Sequence, residues 1–128
     1  VGVSKDDKKP STIVMKYMQK YGFKVIPVNP SAKGQKILGE EVFGKLEDIK
    51  TSIDIVDVFR PSAEATKYAE ESVKIGAKVL WLQLGIKSLE AKELVENNNI
   101  EYIENRCTKM EYQKLFLNIN PAFPVLQN

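Results

Sequence analysis

The sequence contains no histidine and only one cysteine among its 128 residues. Without histidine the chain lacks the most common acid–base residue near neutral pH, the partner of Ser-His and Cys-His nucleophiles, and a frequent zinc ligand. One thiol cannot close an internal disulfide and cannot form a sulfur-rich metal site. These absences favour a binding module over an enzyme, and we predict neither catalytic residues nor a metal site.

Apolar runs long enough to span a membrane are also lacking, as is a signal-peptide pattern. The single cysteine is compatible with a reducing compartment, so we expect a cytoplasmic protein without a membrane partner. Nineteen basic and seventeen acidic residues give a formal net charge of +2. This balance is untypical of proteins that coat nucleic acid, so we expect a small-molecule ligand instead. The sequence identifies no protein partner.

The sequence is 43% hydrophobic and 28% charged. This composition indicates one globular domain over residues 1–128. Runs of β-branched and aromatic residues predict strands at residues 24–28, 53–59, 78–83 and, more weakly, 101–104. Three- and four-residue apolar spacing predicts helices at residues 11–21, 62–75, 88–97 and 106–116. Ser62 and Ser88 are the expected N-caps, and Gly76 the expected helix end. Residues 118–128 form an irregular tail in this interpretation.

Alternating strands and helices predict an α/β fold, specifically a three-layer doubly wound Rossmann-like sandwich with a parallel sheet of about five strands. Residues 1–4 have the character of a first strand that is cut short. Pro27 is expected at a strand end or at a position that does not pair, because proline has no backbone N–H to donate.

Ligands of such sheets bind outside the carboxyl ends of the strands, which places residues 2–4, 28–34, 59–62 and 83–85 at the candidate site. A dinucleotide fingerprint is not met there. Gly2 supplies its first glycine, but Ser4 and Asp7 replace the other two. The carboxylate that would bind the ribose is missing, and Asn29 stands in its place. An NAD(P)-binding oxidoreductase domain is therefore the weaker alternative.

The same segments suit a ligand with several phosphates. The first helix offers its positive dipole end and free amides, to which Ser4 or Ser11 can add a hydroxyl. Cationic side chains stand in the neighbouring loops, namely Lys5, Lys8, Lys9, Lys33, Lys36 and Arg60. The alternative is that these lysines form a solvated loop surface, which would suit a ligand-free interaction module.

Several stretches of the chain, taken together in this order, resemble one known family. They are VGVS (1–4), KKPS (8–11), YGFKVIPVNP (21–30), ILGEEVFGKLEDI (37–49), IDIVDVFRPS (53–62), IGAKVLWLQLGI (75–86) and NRCTKMEY (105–112). The sequence resembles the small stand-alone CoA-binding proteins, whose Rossmann-like domain is similar to the N-terminal domain of the succinyl-CoA synthetase α subunit. The combination of VIPVNP, VDVFRP and WLQLG is specific, and the resemblance reaches about residue 116.

The resemblance implies non-catalytic binding of coenzyme A, or of an acyl-CoA, through its phosphates and adenosine at the carboxyl-terminal edge of a parallel sheet. It places the pyrophosphate at the turn of residues 2–4 and the adenosine along residues 27–30. The family often has arginine where Lys9 stands. The ligand-binding positions implied are Gly2, Val3, Ser4, Lys9, Ser11, Pro27, Val28, Asn29, Pro30, Lys33, Phe59, Arg60, Pro61 and Gln83.

Two further side chains are predicted to be structural. Cys107 matches the family pattern and is expected to be a buried thiol, although a thiol that exchanges with CoA is the alternative. Trp81 lies in the middle of a predicted strand and is expected in the core.

Overall fold

A computed structural model describes residues 1–118 as an α/β fold with a parallel sheet, which confirms the predicted class. The helices are α1 (Pro10–Lys20), α2 (Ala65–Ile75), α3 (Leu89–Glu96) and α4 (Thr108–Tyr112). The strands are β1 (Lys36–Ile37), β2 (Glu40–Glu41), β3 (Ile55–Val58), β4 (Val79–Leu82) and β5 (Glu101–Ile103). Short 3-10 turns span Pro30–Ala32, Leu46–Asp48 and Ser62–Glu64, and a π-helical turn follows α4 at Gln113–Leu117.

The main sheet has three parallel strands in the order β3-β4-β5, so the expected sheet of about five strands is not confirmed. Two further segments extend this arrangement without forming a ladder, the first beside β3 and the second beside the first. The Phe59 N–H donates to the Val1 carbonyl at 3.0 Å, and the Gly2 N–H donates to the Val28 carbonyl at 2.8 Å. Pairing stops there because Gly2 has a φ of +84° and Pro27 has no N–H to give. The predicted strand at 24–28 is reduced to one parallel bridge from Val28 to Phe43.

The core falls into two groups of buried side chains. Small residues of α2 and α3 let both helices pack closely on the apolar sheet, and Ala69 and Ala91 are fully buried. The main group includes Val56, Val58, Leu80, Leu82, Ala65, Ala69, Ala91 and Val95. The second group lies under α1 and consists of Val3, Met15, Ala32, Ile37 and Val42, with Val25 packed against it.

The helix ends test three predicted caps. The Ser88 side chain accepts from the Ala91 N–H at 3.1 Å and so caps α3 as predicted. Gly76 ends α2 in the left-handed conformation, also as predicted. The Ser62 prediction is wrong: this residue begins a 3-10 turn, its hydroxyl accepts from the Lys87 N–H at 3.0 Å, and α2 starts at Ala65. The helix predicted over 106–116 is divided into α4 and the π-helical turn.

Three smaller expectations have mixed outcomes. Cys107 is 3% exposed, so its predicted burial is confirmed. Trp81 is half-buried and outside the core, since its indole N–H donates to the Arg106 carbonyl at 2.7 Å near the surface. The predicted irregular tail falls, apart from Asn118, outside the described residues. Among residues 1–118 no helix is long and apolar enough to cross a membrane.

Candidate functional site

The turn at Gly2 lies directly against the loop that follows β3. A Cβ atom on Gly2 would lie 2.9 Å from Arg60 Cδ and 3.2 Å from the Phe59 carbonyl oxygen. The positive φ of Gly2 would also strain any other residue. The fold therefore brings together two of the loops that the sequence placed at the site.

Ser4 connects this turn to the start of α1. Its N–H donates to Ser11 Oγ at 3.2 Å, and its carbonyl accepts from the Thr12 hydroxyl at 2.6 Å. The Ser4 hydroxyl accepts from the Asp6 N–H at 3.0 Å, which leaves its own hydrogen free to rotate toward a ligand. Ser11 is buried and engaged in holding the turn, so of the two predicted serines Ser4 is the accessible one.

The amino end of α1 has the electrostatics of an anion site. Lys9 is the exposed N-cap, it makes no side-chain cap bond, and the first turn contains no acidic residue. The positive end of the helix dipole is therefore not neutralised within the helix itself. Lys5 and Lys8 are exposed in the adjoining loop, together with Asp6, whose carboxylate accepts from the Lys8 N–H at 2.9 Å.

Asn29 joins the second segment of the site to the first. Its side-chain amide donates to the Val3 carbonyl at 2.9 Å, and its oxygen accepts from the Ser31 N–H at 3.0 Å. Pro30 is exposed at the start of the next 3-10 turn, and the stem of the exposed Lys33 side chain lies over Gly44. The Asn29 amide thus holds the two loops in register.

Some of the predicted positions point away from the surface. Val3, Pro27 and Val28 are buried, and Val3 and Val28 belong to the two core groups. A ligand at this edge can meet these residues only through their backbone. Contacts through side chains are left to Asn29 and Pro30 on this side of the site, because those two remain accessible.

Arg60 extends from the end of β3, between the half-buried Phe59 and the exposed Pro61, and is held by an ion pair. Its guanidinium contacts the Glu64 carboxylate with two nitrogens, at 2.8 and 3.2 Å. This bond raises the pKa of Arg60 and lowers the pKa of Glu64. Both side chains are partly exposed, with 45% and 35% of their surface accessible. Exposed pairs of this kind contribute little stability, so an incoming phosphate can compete for the guanidinium.

Gln83 follows β4, as predicted, but its side chain turns inward. It donates to the Asp57 carboxylate and to the Thr108 hydroxyl, and it is 4% exposed. Thr108 in turn donates to the other Asp57 oxygen at 3.0 Å. Burial raises the pKa of Asp57, while the bonds from Gln83 and Thr108 act in the opposite direction. Sequence reasoning missed this cluster, although an aspartate inside an apolar strand was its signal.

Residues 1–118 contain no group of three histidine, cysteine, aspartate or glutamate side chains that could hold a metal ion. The arrangement described above is a set of strand-end loops gathered around a tight turn, a helix start and several cations. A parallel α/β fold with such an edge defines the class of Rossmann-like domains.

The family pattern described as CoA binding domain matches residues 1–113, and the chain belongs to this family. The protein YneT of Bacillus subtilis is 35% identical over 112 residues, which cover 88% of this chain and 82% of YneT. A solved structure from Thermus thermophilus is 34% identical, with a TM-score of 0.88 over 91% of this chain and 87% of that one. A hypothetical protein from Pyrococcus horikoshii is 32% identical, with a TM-score of 0.85 over 89% and 79% of the two chains.

A larger relative shares the same domain. The ADP-forming acetate–CoA ligase of Methanocaldococcus jannaschii is 27% identical over 131 residues, which cover 96% of this chain but only 18% of the ligase. A dinucleotide-forming acetyl-coenzyme A synthetase of Korarchaeum cryptofilum, 21% identical with a TM-score of 0.68, covers 79% of this chain and shares the fold.

Proposed function

We propose that this domain binds coenzyme A, or an acyl-CoA, at the carboxyl edge of its sheet, through the phosphates and adenosine of the ligand, and catalyses no reaction on it. The observation that carries the proposal is the close approach of Gly2 to Arg60 beside the start of α1, in a chain of the CoA binding domain family. The Ser4 hydroxyl, a helix dipole and a guanidinium lie there, which is chemistry that suits a pyrophosphate.

The adenosine side of the site favours CoA over a nicotinamide dinucleotide. Asn29 stands where NAD-binding domains carry a carboxylate for the ribose hydroxyls. Its amide oxygen already accepts from Ser31, and Lys33 is exposed one short loop away. A ribose that carries a 3′-phosphate meets no negative side chain at Asn29, which supports a CoA-type ligand.

The ionisable groups near the site support a binding role without chemistry. The Asp57 carboxylate is engaged by Gln83 and Thr108, so it is not free to act as a base. Burial raises the pKa of the Cys107 thiol, which keeps it protonated and poorly nucleophilic near neutral pH. The chain has no histidine to take the place of these groups.

Calorimetric titration of the purified protein with CoA, dephospho-CoA, NAD and NADP tests the proposal. We expect CoA to bind with a dissociation constant of about micromolar order, equivalent to roughly 8 kcal/mol, and NAD to give no heat beyond dilution. Tighter binding of NAD or NADP would favour the oxidoreductase alternative. Silence from all four ligands would favour a ligand-free interaction module.

The variant Ser4→Asp tests the phosphate turn. Its carboxylate can still accept from the Asp6 N–H, so we expect the protein to melt cooperatively while charge repulsion weakens CoA at least about tenfold. Ser52→Asp is the matched control, because Ser52 is exposed just before β3, at the amino edge of the sheet. Unchanged CoA affinity in Ser4→Asp, measured by calorimetry, would remove the pyrophosphate from this turn.

A further inference from the structure

A cavity of about 980 Å³ lies beyond the proposed phosphate turn, at the carboxyl ends of β4 and β5. Leu84 borders it after β4, and residues 105–107 border it after β5. Leu89, Lys92 and Glu96 border it from one face of α3, because successive members of this set are three and four residues apart. Its volume is at the upper end of the range of small-molecule sites.

Hydrogen bonds between loops connect the border of this cavity to the loops of the site described above. The Lys87 N–H donates to Ser62 Oγ at 3.0 Å and so ties the loop after β4 to the loop that carries Arg60. The Gly85 N–H donates to Asn105 Oδ1 at 2.7 Å and ties the same loop to the one after β5. The loops after β3, β4 and β5 are therefore linked to one another along this edge of the sheet.

The span of this surface matches the flexible arm of CoA. Three steps between neighbouring strands separate residues 1–3 from β5, which is about 14 Å at about 4.8 Å a step. The pantetheine arm has about as many backbone bonds as four amino acids, and four extended residues span about 14 Å. An arm whose pyrophosphate lies at the turn of residues 2–4 consequently delivers its sulfur to the mouth of the cavity.

The lining suits a neutral acyl group better than a bare thiol. Leu84 and Leu89 are 38% and 70% exposed and form an apolar surface with Ile103 and Met110. The charged lining residues are balanced in number, since the lining contains three cations and three acids, namely Lys87, Lys92 and Arg106 with Glu96, Glu104 and Glu111. A charged acyl terminus gains no net electrostatic attraction from a lining without net charge. A neutral acyl group gains binding free energy because it removes the exposed leucines from water.

We propose, on the basis of the proposed CoA site, that this cavity receives the acyl group of a short neutral acyl-CoA, so that the thioester binds more tightly than free CoA. The acyl carbons contact Leu84, Leu89 and Met110, and the lysines at the rim donate to the thioester carbonyl. Binding leaves the thioester intact, and no bond is made or broken.

Titration of the protein with CoA, acetyl-CoA, butyryl-CoA and succinyl-CoA tests this site. We expect affinity to rise from CoA to acetyl-CoA to butyryl-CoA, by up to about fourfold for each methylene that is buried. Succinyl-CoA is expected to bind less tightly than butyryl-CoA, because its terminal carboxylate must be desolvated in the same space.

Leu89→Trp fills the cavity from α3, outside the strand-end segments of the CoA site, and is expected to abolish the preference for butyryl-CoA while changing free CoA by less than about twofold. Leu84→Trp, in the loop after β4, provides a second filling variant and is expected to remove the butyryl preference relative to the same variant's affinity for free CoA. Leu115→Trp is the matched control, because Leu115 is 69% exposed and lies outside the lining.

Equal affinity for CoA and butyryl-CoA in the unmodified protein, or a butyryl preference that survives both filling variants, would overturn the acyl site and leave the CoA site standing. Absence of binding by CoA and by all the thioesters would instead overturn the proposed function, and the acyl site with it.

Discussion

Arg60 has two neighbours that define what it can do. Its side-chain carbons cover Gly2, with Cδ 2.9 Å from where a Cβ would stand, while its guanidinium contacts Glu64 four residues along the chain. The first contact keeps the arginine at the proposed phosphate turn, and the second holds the charge in place without a ligand. A phosphate that takes the guanidinium from Glu64 exchanges one bidentate anion for another, so the loss of the Glu64 pair offsets part of the affinity that the arginine contributes.

Arg60→Ala is expected to weaken CoA and dephospho-CoA by similar factors, with little difference between the two ligands, because both carry the pyrophosphate that this guanidinium faces beside Gly2. Competitive titration of the two ligands against the variant measures the difference. Glu64→Gln provides the opposite change, since it releases the guanidinium without removing it, and CoA affinity should rise. A loss confined to CoA in Arg60→Ala would instead place this arginine at the ribose 3′-phosphate and away from the pyrophosphate.

The residues of the candidate site show what sequence reasoning can and cannot supply. Strand-end position alone selected Gly2, Asn29 and Arg60, and the fold does bring their loops together. The same rule selected Val28 and Gln83, whose side chains are buried. A position at the end of a strand does not predict whether the side chain faces the core or the surface. That orientation depends on packing partners that are distant in sequence.

Elements with a strong local signal were predicted well, and those that depend on distant partners were not. Strands β3 and β4 lie within the predicted apolar runs, and α3 begins after its predicted serine cap. The segment at 24–28 looked like a strand but lacks a ladder, because Pro27 cannot donate. The hairpin of β1 and β2 was missed, since its turn uses Leu38 and Gly39, both at positive φ, instead of the usual Asn-Gly.

The cap of α3 gives a prediction at the scale of one element. Ser88→Ala removes the acceptor for the Ala91 N–H and is expected to lower the free energy of unfolding by about 1 kcal/mol, as measured by urea denaturation. Ser88→Thr, which keeps a hydroxyl, should recover most of the loss. Ser62→Ala is the matched comparison, because that exposed serine does not cap a helix, and its cost should be smaller. A larger loss in Ser62→Ala would contradict the observed roles of the two serines.

At the scale of the whole molecule, the net charge of +2 conceals an uneven distribution. Lys5, Lys8, Lys9, Lys33 and Arg60 are all exposed in the loops around the carboxyl edge of the sheet. The acids of this region are partly occupied, since Glu64 contacts Arg60 and Asp6 accepts from the Lys8 N–H. A polyanionic ligand that approaches this edge therefore meets a positive local field in a nearly neutral protein.

That field leads to a prediction about salt. We expect CoA to bind at least as tightly as dephospho-CoA, with a preference of about 1 kcal/mol, or roughly fivefold, at low ionic strength. The preference should shrink as salt rises from about 0.05 M to about 0.5 M, because the screening length falls from well above 10 Å to well below it. Isothermal titration of both ligands across this range measures the ratio of the two dissociation constants.

Three variants separate this field from a local contact. Lys33→Gln should reduce both the preference and its salt dependence, whereas Lys50→Gln, which changes an exposed lysine before β3, should leave both unchanged. Asn29→Asp should lower CoA affinity by repelling the ribose phosphate. The melting temperature of this variant must also be measured, because the substitution removes the hydrogen bond from the Asn29 amide to the Val3 carbonyl. Tighter binding of dephospho-CoA by the unmodified protein at every salt concentration would overturn the placement of the 3′-phosphate beside Asn29 and Lys33.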